Sequence, residues 1–309
     1  MKTDLALYLI LFLIVASVVN RVWGRRQRDE RGRKLYYEVT LRIQSWWLMV
    51  GIFLSAWLGG FYTTLVLFFT LSLLALREYM TLIDTKRADH RALVWSFLIL
   101  APVQYLLIAD SWYGLYTIFI PVYGFLIITT RVAISGECGD FLNRVATIYW
   151  GLMTCVFLPS HAPAILTLPV LGYETRQDEL LFFLVVVTQL SDVFQFLCGK
   201  SFGRRKIAPH VSPNKTIEGL VGGMVVTGMA AMLLSSLTPL SLIQDFFLGA
   251  ALCLFGFCGG LAMSAVKRDK GCKDFGTLLR GHGGVLDRID SLCFTAPLFF
   301  HYLRYFYTA

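Results

Sequence analysis

Charge is what this 309-residue chain has least of: 16% of its residues are Asp, Glu, Lys or Arg, against 56% that are apolar. That leaves too little polar surface to cover a soluble globule, so a soluble fold is excluded. The seven cysteines form no CxxC pair and no Cys/His ligand spacing. A zinc site and a disulfide framework are therefore not indicated, and most of these cysteines sit in apolar runs as small hydrophobes. Apolar and polar residues do not alternate over the apolar runs, which excludes a transmembrane barrel. Repeats, low-complexity segments and soluble-domain linkers are missing as well. Acidic residues are outnumbered by basic ones, 20 to 28, for a net charge of +8. In a chain this apolar the excess is expected in loops on one side of a membrane, not at a nucleic-acid interface.

What is present is a series of apolar runs and a mean hydropathy of +0.63. The expected fold is all-α, a polytopic integral membrane protein with about ten transmembrane helices. Spans are predicted at 5–20, 46–59, 61–76, 92–109, 113–129, 145–160, 180–198, 218–237, 246–266 and 292–307. Gly59-Gly60 predicts either a tight hairpin or one broken element. Leu5–Val19 lacks a small-x-small cleavage site and precedes a basic cluster, so it is expected to be a retained span. The basic cluster from Arg21 to Arg42 places that loop in the cytoplasm and the N-terminus outside. Alternation then puts loops 77–91, 130–144, 199–217 and 267–291 on the cytoplasmic side. Two regions are expected: N-terminal helices over 1–179 and a catalytic membrane region over 180–309.

Three groups of residues carry candidate chemistry. Asp192, near the inner end of a span, is costly in hydrocarbon and is expected to face a cavity, a partner or a metal. The loop 199–219 contains GKS, but Phe194 stands where a phosphate loop needs glycine, and no strand precedes it. Ser212-Pro213 predicts a helix start, with Lys215 and Thr216 in a first turn suited to anions. The densest group runs from Ser264 to Asp290, SAVKRDKGCKDFGTLLRGHGGVLDRID. Ser264, Lys267 and Arg268 share one helical face, as do Asp287 and Asp290 beside Arg288. Cations suit phosphate, and oxygen-only ligands suit Mg²⁺ or another hard cation.

These residues resemble the signature of the phosphatidate cytidylyltransferases. The family pattern S-x-[apolar]-K-R-x4-K-D-x-[small]-x2-[apolar]-[PG]-x-H-G-G-[apolar]-x-D-R-[apolar]-D is met by Ser264, Lys267, Arg268, Lys273, Asp274, Gly276, Leu279, His282, Gly283, Gly284, Asp287, Arg288 and Asp290. Arg280 departs from it at the [PG] position. An upstream pattern is met by Asp192, Gly199, Lys200, Lys206, Pro209, Ser212, Pro213, Lys215, Thr216, Glu218 and Gly219. The likeness covers roughly residues 180–300. It implies an integral protein of a bacterial inner membrane that makes CDP-diacylglycerol and pyrophosphate from CTP and phosphatidic acid. It also implies Mg²⁺, with K⁺ in some members, and leaves room for a homodimer.

The resemblance gives catalytic roles to Lys267, Arg268, Lys273, Asp274, His282, Asp287, Arg288 and Asp290. Substrate contacts fall to Lys206, Ser212, Asn214, Lys215, Thr216, Ser264, Gly283 and Gly284, and metal binding to Asp287, Asp192 and Asp290. One departure matters. Where the family has G-D-x-x-E-S this chain has Gly259-Gly260-Leu261-Ala262-Met263-Ser264, so glycine replaces a metal-binding aspartate. Two readings stand: an active cytidylyltransferase, or an impaired or altered-specificity paralogue that binds anionic lipid or nucleotide.

Overall fold

The computed structural model describes residues 2–26, 30–278 and 283–308. Long helices dominate: α1 (Lys2–Arg26), α2 (Glu30–Leu58), α3 (Phe61–Leu82), α4 (Arg87–Ala109), α5 (Tyr113–Ala133), α6 (Phe141–Thr167), α7 (Gln177–Phe202), α8 (Ile217–Leu233), α9 (Leu242–Asp269) and α10 (Leu286–Tyr307). All but α8 and α10 contain stretches long and apolar enough to cross a membrane. The chain is an all-α polytopic integral membrane protein; eight of the ten expected spans lie wholly inside a helix, while 46–59 runs one residue past α2 and 218–237 runs past the end of α8 at Leu233. At Gly59-Gly60 the hairpin forms. Gly60 takes φ +94°, a conformation that favours glycine, and α3 begins directly after it.

Helices α4, α5 and α6 are not uniform. Each holds one widened turn, at Ser96–Leu100, Phe119–Gly124 and Met153–Phe157. The first and third lie just ahead of Pro102 and Pro159, and the second contains Pro121. Proline has no N–H and crowds the carbonyl one turn back, so a wider turn there relieves the clash.

Several helices run further than the apolar pattern predicted. Helix α3 continues through Arg77 and Glu78 to Leu82, which shortens the loop expected over 77–91. Glu78 holds it there by bonding the start of α10, as described below. The four loops expected on one side do meet at one end of the bundle. Lys86 Nζ lies 2.7 Å from Glu137 Oε1, Lys270 Nζ 3.7 Å from Asp84, and Arg268 Nε donates to the Val211 carbonyl at 3.3 Å. Beneath them Arg144 Nε donates to Asp89 Oδ1 at 2.8 Å, with both side chains buried.

The helix start expected at Ser212-Pro213 is corrected. Strands β1 (Lys206–Ala208) and β2 (Ser212–Thr216) pair antiparallel, Lys206 opposite Thr216 and Ala208 opposite Ser212. A two-stranded ribbon is all edge, and there proline's missing N–H costs little. The helix begins after the strand instead. Thr216 caps α8 by accepting from Gly219 N at 3.1 Å, and Glu218 accepts from the amides of Arg204 and Arg205 to tie the ribbon's entry to the same turn. Thr216→Ala is expected to cost about 1 kcal/mol, the usual worth of such a cap. It reads out as a small fall in melting temperature in detergent.

Helices α7, α8, α9 and α10 pack against one another in sequence order, and α10 also packs on α6 and α3. Phe299, Phe300 and Leu303 of α10 are fully enclosed there. This packing anchors α10 in apolar contacts while its first turn stays at the polar end.

Candidate functional site

The site is built around the first turns of α10. Asp287 is buried, and each of its oxygens is engaged. Oδ1 accepts from Lys267 Nζ at 2.8 Å, while Oδ2 accepts from Phe275 N at 2.8 Å and Gly284 N at 2.9 Å. Lys267 comes from the end of α9, and its ammonium also stands 5.3 Å above the Phe275 ring. Gly283 takes φ +79°, and a Cβ there would stand 2.8 Å from Asp287 Oδ2 and 3.2 Å from the Asp274 Cβ. Only glycine lets the loop close on this carboxylate. Asp287 is thus the hub that joins α9, the 275 loop and α10.

One turn further along α10, a second group assembles. Ser291 Oγ donates toward Asp192 of α7, 3.1 Å from Oδ1 and 2.9 Å from Oδ2, and lies 3.4 Å from Asp290 Oδ1. The Ser291 amide donates to Asp290 Oδ1 at 2.7 Å. Lys215 reaches in from β2. Its ammonium donates to the Phe257 carbonyl at 3.2 Å and lies 4.5 Å from the centre of that ring. Burial pushes the Lys215 ammonium down from the ordinary lysine range, and the charges of Asp290 and Asp192 oppose that shift. Arg288 is within electrostatic reach of both aspartates, and among the described residues its buried Nε has no hydrogen-bond partner. An unspent guanidinium donor beside two carboxylates and an ammonium is suited to phosphate.

Other residues singled out in the sequence sit around these two groups. Ser264 donates back to the Gly260 carbonyl at 2.6 Å. Arg268 braces the ribbon through Val211 and reaches the Cys272 carbonyl at 3.4 Å. Lys206, Asn214, Lys273 and Asp274 are exposed, and Ser212 and Thr216 are half-buried in or beside the ribbon. His282 lies outside the described residues.

Among the described residues no group of three His, Cys, Asp or Glu side chains is arranged to hold an ion. Asp192 and Asp290, both on Ser291, form a carboxylate pair. Mg²⁺ takes one or two protein carboxylates and completes its shell with water and substrate phosphate. The pair therefore fits one such ion, while Asp287 has Oδ2 engaged by two amides and Oδ1 accepting from Lys267.

Site residues not singled out in the sequence include Ser291, which bridges Asp192 and Asp290, and Glu78. Glu78, from α3, accepts from Val285 N and Leu286 N, both at 2.9 Å. The only signal was a carboxylate next to Arg77 at the end of an apolar run, which reads equally as a loop charge.

The profile of the cytidylyltransferase family matches residues 40–306. An uncharacterized protein of Escherichia coli K12, YnbB, is 44% identical over 298 residues, covering 96% of each chain. The phosphatidate cytidylyltransferase of Bacillus subtilis 168 is 40% identical over 128 residues, 41% of this chain and 48% of that one. That of Staphylococcus aureus COL is 40% identical over 130 residues, 41% of this chain and 50% of that one. The chain thus spans about half the length of these two named enzymes.

Proposed function

The chain belongs to the cytidylyltransferase family, and on that premise we propose that it transfers the cytidylyl group of CTP to phosphatidic acid. The observation that carries this reading is the convergence on α10 of three cations, Lys267, Lys215 and Arg288, with the carboxylates Asp192, Asp287 and Asp290. In the reaction a phosphate oxygen of phosphatidic acid attacks the α-phosphorus of CTP. The bond from that phosphorus to the bridging oxygen breaks, and pyrophosphate leaves with the electron pair. The attacking phosphate is already anionic, so no strong general base is required; positioning and charge neutralisation do the work.

The residues divide that work. Among the described residues, Lys215 and Arg288 keep donors free to meet phosphate oxygens. Asp192 and Asp290 are the residues that would hold Mg²⁺, which supplies Lewis-acid neutralisation of the polyphosphate when bound. Asp287 fixes Lys267 toward the same space. The exposed ribbon residues Lys206 and Asn214 face incoming nucleotide or lipid headgroup. The basic loops at this end support a cytoplasmic placement, with the N-terminus outside.

The test is purified protein in detergent with Mg²⁺, phosphatidic acid and each nucleoside triphosphate in turn, following pyrophosphate release. CTP is expected to exceed each other triphosphate by at least about tenfold, the discrimination that a site hydrogen-bonding the base readily supplies. Absence of CTP-dependent release overturns the reading. It would favour the second one, binding without transfer, which Gly260 motivates.

A further inference from the structure

Gly260 lies on the face of α9 that turns toward Asp290, and the space its missing side chain leaves is filled. A Cβ on Gly260 would stand 2.8 Å from Lys215 Nζ and 3.6 Å from Asp290 Oδ2. The ammonium arrives there by crossing Phe257, one turn earlier on the same helix face, and bonding its carbonyl. Any side chain at 260 would meet it at less than ordinary van der Waals distance. Lysine carries three N–H donors, and among the described residues one is accounted for by Phe257. The remaining two are available to the anionic surroundings.

We propose that Lys215, admitted by Gly260, is a fixed positive charge of this site, so that Asp192 and Asp290 hold one divalent cation per chain and the ammonium takes the place of any second one. The inference rests on the proposed cation site and deepens it. The carboxylates of Asp192 and Asp290 against the Lys215 ammonium and the Arg288 guanidinium sum to zero, so one divalent ion already leaves the group positive. A second ion would have to displace the ammonium from beside Asp290. On this account Gly260 is not a defect. It is the condition for Lys215 to reach across α9, and adding a carboxylate at 260 would expel the ammonium without improving the site.

Mn²⁺ binding to the purified full chain, followed by electron paramagnetic resonance without nucleotide, separates the possibilities. Wild type is expected to bind one Mn²⁺ per chain. Lys215→Met, which keeps the length and removes the charge, is expected to raise Mn²⁺ affinity about tenfold, because a cation a few ångströms away no longer opposes the ion. Gly260→Ala is expected to act in the same direction by pushing the ammonium away. In the Lys215→Met background Gly260→Ala should add nothing, since its effect runs through Lys215. Two Mn²⁺ per wild-type chain, no Mn²⁺ binding at all, or unchanged affinity in Lys215→Met would each overturn the proposal. So would a Gly260→Ala effect that persists without Lys215. None of these readouts depends on turnover. A chain that binds Mn²⁺ in this pattern but releases no pyrophosphate refutes the proposed activity and leaves this inference standing.

Discussion

Asp287→Asn is expected to lower cytidylyl transfer about a hundred- to a thousandfold, because breaking one partner of a buried ion pair costs about 3–5 kcal/mol. Asparagine has the same shape, so the loss is one of hydrogen-bond polarity. The native carboxylate meets three donors: Lys267 Nζ on one oxygen, Phe275 N and Gly284 N on the other. The amide offers one oxygen and one NH₂. If the NH₂ faces Lys267, two donors confront each other and a half-buried ammonium is left unpaired. If it faces the loop, both backbone amides lose their acceptor. Either way Lys267 or the amides of Phe275 and Gly284 lose their acceptor, although the helices that anchor α10 are untouched. The check is kcat in detergent, with the melting temperature measured alongside. Near-native turnover in a folded variant would remove Asp287 from the hub.

The helical part of this structure was legible because a span needs a continuous apolar run, and continuity survives in a single sequence. Alternation of spans placed the loops around 84, 137, 211 and 270 at one end, and the contacts among Lys86, Glu137, Lys270, Asp84, Arg268 and Val211 are the consequence. Asp192 could be singled out because a carboxylate in an apolar helix must have a reason to be there; the structure puts Ser291 and Asp290 beside it. Other features depend on contacts across the chain and leave no periodic trace. Ser212-Pro213 has the local chemistry of a helix start, yet the ribbon pairing of Lys206 with Thr216 outweighs it and moves the cap to Thr216. The equal spacing of Asp287 and Asp290 suggested a shared role. Their partners differ because one sits under the 275 loop and the other beside α7. Gly260 was visible as a missing carboxylate, but only the fold shows an ammonium where that side chain would be.

Glu78→Ala is the second large effect expected, and it tests whether the N-terminal helices act on the site. Helix α10 has no side-chain cap of its own, so the free amides of its first turn need another acceptor. Glu78 supplies it from more than two hundred residues away, one oxygen to Val285 N and the other to Leu286 N. Its negative charge also suits the positive end of the helix. The surroundings are shaped to admit it: a Cβ on Gly276 would stand 2.7 Å from Glu78 Oε1, and one on Gly284 would overlap the carboxylate. Removing the side chain leaves two amides without acceptors, at about 1–3 kcal/mol each. Asp287, Asp290 and Ser291 follow in the next residues, so loosening this turn misaligns both groups of the site. Transfer is expected to fall about ten- to a hundredfold, as for other residues that orient functional groups without touching substrate. The fall should appear mainly in kcat, with KM for CTP less affected. Glu78→Gln keeps one acceptor oxygen and should lie between wild type and alanine. Hydrogen exchange at the Val285 and Leu286 amides reads the contact directly. Unchanged exchange there, together with native kcat in Glu78→Ala, would show that α3 only packs against the site and does not set it.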